Sequence, residues 1–158
     1  METHIHIKYG TDFSNDAPYP IILEGKLWST SKIYFIAMKY IVDNSNAIDS
    51  IRTGSSYLSD SFLKQLKIRK DWNEVKNEVM FNAIHAKITQ HKKLLDMLNN
   101  SGIIVSHSLE NIDGVDLGNI YESVKKYIRI PKYPIRRPRE IFKNVDRDKK
   151  GKIIVSLL

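Results

Sequence analysis

The chain has 158 residues, of which 42% are apolar and 27% charged, with no cysteine and a formal charge of +7 at neutral pH. That length suffices for one domain with a sizeable core, and the composition is that of a folded protein. The lack of cysteine excludes disulfides, thiolate metal sites and cysteine nucleophiles together.

Thr3 to Tyr9 alternates, with Ile5, Ile7 and Tyr9 on one side, as a half-buried strand does. Pro18 and Pro20 oppose a helix. Ile21 to Trp28 then predicts two short strands about a turn at Glu24-Gly25. Ser29-Thr30-Ser31 offers capping hydroxyls for a helix reaching about Val42, with Ile33, Ile36, Ala37, Tyr40 and Ile41 on its apolar face. The polar stretch from Ser45 to Ser61 predicts a loop with a short helical piece, followed by a short helix that turns Phe62, Leu63 and Leu66 inward. Asp71-Trp72-Asn73-Glu74 predicts a capping box, in which the Asp71 carboxylate accepts from the amide of residue 74. It opens the strongest helix, striped by Trp72, Val75, Val79, Ala83 and Ala86.

That stripe breaks near Gln90-His91, and Leu94, Leu95 and Leu98 mark a further helix ending at Asn99-Asn100-Ser101-Gly102. Ile103-Ile104-Val105 predicts a short buried strand, residues 111–119 a turn-rich link, and Ile120, Val124, Tyr127 and Ile128 a last amphipathic helix. The fold class is α+β and mostly helical, a compact single domain with a few short strands. No apolar run is long enough to span a bilayer, and Met1-Glu2-Thr3-His4 is unlike a secretory signal. A cytoplasmic protein with no membrane partner is expected.

Charge divides the chain. Residues 125–152 hold twelve Lys/Arg against three Asp/Glu, a balance of +9, whereas residues 1–124 hold thirteen against fifteen. Familiar chemical signatures are missing: no glycine-rich phosphate loop, and no calcium loop at Asp113-Gly114-Val115-Asp116. His4-x-His6 puts two imidazoles on one strand face without a third ligand nearby, so neither a metal nor another cofactor is expected.

Two ordered patterns carry more. The first is Phe13-Ser14-Asn15, then Pro20, a strand, Gly25-Lys26-x-Trp28, and Thr30-x-x-x-Tyr34-Phe35-x-Ala37-x-Lys39-Tyr40. The second is Asp71-Trp72-x-x-Val75-Lys76-x-x-Val79-Met80-x-x-Ala83-x-x-x-Lys87, with Gln90-His91, Leu94 and Gly102 after it. In these residues the chain resembles the NADAR, or YbiA-like, family over about residues 9–122. That family's motifs read Ser-Asn-Phe, Gly-Lys-x-Trp-Pro-Thr/Ser-x-Glu-His-Tyr-Phe-Gln-Ala-x-Lys-Phe, and Asp-Trp-x-x-Val-Lys-x-x-Val-Met-x-x-Ala-x-x-x-Lys-Phe. The resemblance implies a compact α+β fold and hydrolysis of a bond between ribose and a nitrogen base, on ADP-ribosylated guanine or related nucleotides. Such chemistry needs a carboxylate beside the anomeric carbon, aromatic faces for the base and cationic donors for phosphate.

The departures bear on activity. The family's Glu-His falls on Lys32-Ile33, its Gln on Ile36 and its Pro on Ser29. A late Asp-x-x-Trp-Gly survives as Glu110-x-x-Asp113-Gly114, and a closing Leu-Gly as Leu117-Gly118. An ammonium at position 32 cannot accept a proton and opposes a developing cation. The resemblance places substrate contacts at Asn15, Trp28, Lys32, Tyr34, Lys39, Lys76 and Lys87. Trp28 and Tyr34 serve equally well as core, and Lys32 either binds phosphate or is a surface residue. Asp71 and Glu110 are the remaining carboxylate candidates, against the plainer readings of a helix cap and a solvated loop acid.

The chain thus divides into a NADAR/YbiA-like domain, 1–122, and a basic helix and arm, 123–158. Arg136, Arg137, Arg139, Lys149 and Lys150, interleaved with Tyr133 and Phe142, suit non-specific contact with nucleic acid. Packing across the domain's acidic surface is the alternative for the arm. Three functions follow: a divergent, impaired N-glycosidase scaffold for ADP-ribosyl or ribosyl-base nucleotides; a non-catalytic nucleotide- or nucleic-acid-binding protein; and a structural protein with a vestigial pocket.

Overall fold

The computed structural model describes residues 3–41, 45–52, 60–107 and 111–129. Glu110 and residues 130–158, with Arg136, Arg137, Arg139, Lys149 and Lys150, lie outside the described residues.

β1 (Thr3–Ile7) buries Ile5 and Ile7 and exposes His4 and His6, the two-residue period of a half-buried strand. It pairs in parallel with β6 (Ser101–Ser106), almost a hundred residues later. Two expectations fail here. Tyr9 does not share the buried face of Ile5 and Ile7, because the strand stops at Ile7 and a turn follows. The second strand is not buried: Ile103 is 45% exposed, since a sheet of two strands leaves part of each face uncovered.

β2 (Ile21–Leu23) and β3 (Lys26–Trp28) form the hairpin the turn residues predict. Glu24 and Gly25 both have positive φ, 56° and 73°, as a two-residue turn matched to strand twist requires. Helix α1 (Ser31–Lys39) starts at Thr30, whose hydroxyl accepts from the amide of Ile33 at 3.1 Å. It ends before the predicted Val42 because Tyr40–Ile41 (β4) pairs instead with Lys67–Ile68 (β5). The short α2 (Ser45–Arg52) and α3 (Asp60–Leu63) lie between these strands in sequence.

α4 (Trp72–Gln90) is the central helix and packs against α1, β2, α5 (Lys92–Asn99) and α6 (Leu117–Arg129). Its predicted stripe is too narrow: from Val79 to Ile88 nearly every side chain is buried, Met80, Ile84 and Ile88 included. Enclosed on several sides over these residues, the helix has no exposed polar face there to contrast with an apolar one. The helix starts where predicted, but the Asp71 carboxylate makes no capping hydrogen bond. It is gripped by Arg69 instead, at 2.5 and 2.7 Å, and the Asp71 carbonyl accepts from Glu74 and Val75. A bidentate guanidinium outcompetes a neutral amide for the same oxygens. α6 runs unbroken through the expected boundary at 122/123, burying Val124 and Lys125 beyond it.

Candidate functional site

Residues 8–16, which follow β1, are shaped by hydrogen bonds from every side. Thr11 Oγ1 donates to the carbonyls of His6 and Lys8, both at 2.8 Å, and Gly10 supplies the positive φ, 87°, that closes the turn. Three helices then hold three consecutive carbonyls. Tyr121 of α6 donates to Phe13 O at 3.1 Å, and Lys87 of α4 to Ser14 O at 2.8 Å. From α1, the Ser31 hydroxyl and the Lys32 amide both donate to Asn15 O, at 3.3 and 3.2 Å. The backbone of this loop is therefore fixed by the core, and Asn15 and Asp16 are presented at its end.

They line a cleft of about 510 Å³ with Lys8, Tyr9, Lys32, His107, Asn111 and Ile112. Lys32 Nζ meets the Asp16 carboxylate at 3.2 Å, with both side chains more than a third exposed. Asn15 is buried, its Oδ1 against the Ser31 hydroxyl, and its Nδ2 has no hydrogen-bond partner among the described residues. The cleft thus combines two ammonium groups, a carboxylate, an imidazole, two amides and an exposed phenol ring. Its volume falls in the range of small-molecule sites. A smaller hollow of about 240 Å³ adjoins it and shares Tyr9 and Asp16.

A second group of cations gathers at the 112–115 turn. The Asp113 carboxylate, at a positive φ of 51°, binds Lys39 at 2.9 Å and accepts from Trp72 Nε1 at 3.2 Å. Its carbonyl accepts from Lys76 Nζ at 2.6 Å. Lys39, Arg69, Lys70 and Asp113 border a separate hollow of about 300 Å³. Beside it, the Arg69 hydrogen bonds hold the Asp71 carboxyl below its ordinary 3.8.

Of the seven predicted contacts, only Asn15 and Lys32 line the main cleft. Lys39 and Lys76 belong to the Asp113 cluster. Trp28 and Tyr34 are fully buried and meet edge to face at 5.1 Å, in the core. Burial pushes the Tyr34 phenol well above its ordinary range. Lys87, also fully buried, does not line the main cleft and donates to the Ser14 carbonyl of the loop beneath it. Asp71 sits with Arg69, away from the cleft residues. Tyr9, Asp16 and Lys8 were missed by sequence reasoning. Asp16 had a signal: it follows Ser14-Asn15, at the place where the motif has Phe. Tyr9 had none, because its parity points inward. His107 brings a third imidazole near His6, 6.2 Å between ring centroids, yet among the described residues no three ligands are placed to hold a metal ion. Among the same residues no helix is long and apolar enough to cross a membrane.

The mixed, mainly helical fold with short strand pairs matches a known class. The NADAR domain model matches residues 6–132, and the chain belongs to that family. It is 39% identical over 93 residues to N-glycosidase YbiA of Escherichia coli strain K12, covering 57% of this chain and 56% of that protein. It is 26% identical over 94 residues to N-glycosidase Npun_R5314 of Nostoc punctiforme, covering 57% and 60%. The chain thus spans somewhat over half the length of these curated relatives in the matched regions. The NMR structure of E. coli YbiA superposes with a TM-score of 0.67 at 27% identity, covering 87% of this chain and 92% of that one. The scaffold is that of an N-glycosidase family.

Proposed function

We propose that this protein is an N-glycosidase scaffold that binds an ADP-ribosyl or ribosyl-base nucleotide in the Asn15–Lys32 cleft, with hydrolysis impaired. The observation that carries this reading is Lys32: it lines the cleft, ion-paired to Asp16, at the place where the motif has a carboxylate. Cleaving a ribosyl–nitrogen bond leaves positive charge on the sugar and requires a water to lose a proton. A carboxylate assists both events, and an ammonium opposes the first and cannot perform the second. What an ammonium does well is hold phosphate, and Lys8 stands in the same cleft to share that task. Tyr9 and Asp16 add an aromatic face and a hydroxyl acceptor.

The experiment pairs calorimetry against ADP-ribose with an assay of ADP-ribose release from ADP-ribosylated guanine. Binding is expected, with release at the level of the protein-free control. Release well above that level which survives Lys32→Ala would overturn the impairment, and no binding would overturn the nucleotide reading. The +9 balance of residues 125–152 supports a second role, non-specific contact with nucleic-acid backbones through Arg136, Arg137, Arg139, Lys149 and Lys150.

A further inference from the structure

We infer that Tyr9 is the platform on which the planar base of the nucleotide stacks, an inference that rests on the nucleotide reading above. By sequence parity Tyr9 belongs on the buried face with Ile5 and Ile7, which are 3% and 0% exposed. The turn built by Thr11 and Gly10 breaks that parity immediately after the strand and leaves Tyr9 83% exposed. It is the most exposed of the large hydrophobic side chains described. Leaving a ring of this size in water forgoes the burial that stabilises the core of the fold.

Its surroundings give the ring a use. Tyr9 lines both the 510 Å³ cleft and the adjoining 240 Å³ hollow, and Asp16 is the other residue common to both. On the cleft side stand Lys8 and Lys32, suited to phosphate, with Asn15 and Asp16 suited to ribose hydroxyls. A ligand that uses all of these carries anionic, hydroxylic and planar aromatic parts, which defines a nucleotide. Trp28 and Tyr34 cannot offer a face to it: they are 1% and 0% exposed and pack on each other. Of Tyr9, Trp28 and Tyr34, the ring that offers a face to a base is therefore the one that strand parity would have hidden.

Stacking and charge respond differently to salt, and that separates the contributions. Titrate wild type, Tyr9→Ala, Tyr9→Phe and Lys32→Ala with ADP-ribose by calorimetry at several ionic strengths. Tyr9→Ala should weaken binding by about 5-fold or more with an unchanged salt slope, and Tyr9→Phe should stay within about twofold of wild type. Lys32→Ala should weaken binding and flatten the slope. Wild-type affinity in Tyr9→Ala, or equal losses in Tyr9→Ala and Tyr9→Phe, would overturn the inference and leave the nucleotide reading standing. Wild type that does not bind ADP-ribose would overturn both.

Discussion

Lys32 and Asp16 face each other at 3.2 Å, each more than a third exposed, so their mutual attraction is screened and modest. That pairing competes with any phosphate for the same ammonium. Asp16→Asn is expected to tighten ADP-ribose binding by up to about fivefold, the scale of an exposed ion pair. Calorimetry on the variant reads the change, and weaker binding would show that Asp16 contributes more to the ligand than it withholds. Lys87 acts at the opposite extreme of burial. Its Nζ donates to Ser14 O from a fully buried position, and its charge lies 5.7 Å from the Tyr19 ring. Lys87→Met should cost about 1–3 kcal/mol in urea denaturation, because the Ser14 carbonyl loses a partner in the interior. Asp71 sets a pH dependence. Its folded carboxyl titrates below 3.8, chiefly through the Arg69 hydrogen bonds, so its stabilisation is complete above that value and is lost as pH falls through the folded value. Melting curves of wild type and Asp71→Asn between pH 6 and 2 should converge on the acid side.

At the level of elements, α6 approaches β6 so closely that a side chain does not fit. A Cβ at Gly118 would stand 2.8 Å from Ser106 Cβ, an atom next to the backbone that cannot swing away. This explains physically why the Leu117-Gly118 pair survives in a region that otherwise departs from the motif. Gly118→Ala should destabilise by about 1–3 kcal/mol and lower Tm by several degrees, measurable by calorimetric melting. A neutral result would mean that β6, an edge strand, shifts freely. The loop from Lys8 to Asp16 illustrates the converse, an element without regular structure that three helices fix through its carbonyls.

For the molecule as a whole, the charge asymmetry and the fold meet at α6. Ending the chain after Arg129 keeps α6 whole and removes nine Lys/Arg and three Asp/Glu, taking the formal charge from +7 to +1. Ending it at the sequence boundary of 122 would also delete Val124 and Lys125, which are buried, and confound binding with unfolding. The shorter deletion should abolish salt-dependent affinity for duplex DNA in a mobility-shift titration while leaving the melting transition in place. Unchanged affinity would remove the basic segment from consideration as a nucleic-acid contact.

Local pattern in the sequence was enough for the hairpin at Glu24-Gly25, the start of α1 at Thr30, the break at His91 and the family itself, because turn chemistry, capping and motif spacing are properties of neighbouring residues. Periodicity misjudged α4, since a helix enclosed by several neighbours loses the polar face that periodicity detects. It also misplaced Tyr9, because a turn after Ile7 cancels strand parity. The parallel partner of β1 lies beyond Ser101, and no local signal states which distant segment a strand will choose. The site was legible only in part for the same reason. The family resemblance nominated Asn15, Lys32, Lys39, Lys76 and Lys87 together, and packing sorted them into a cleft, a turn cluster and a buried post. A cationic side chain has the same local signature in all three places, and only the tertiary fold decides whether its nitrogen ends on a ligand, a carboxylate or a carbonyl.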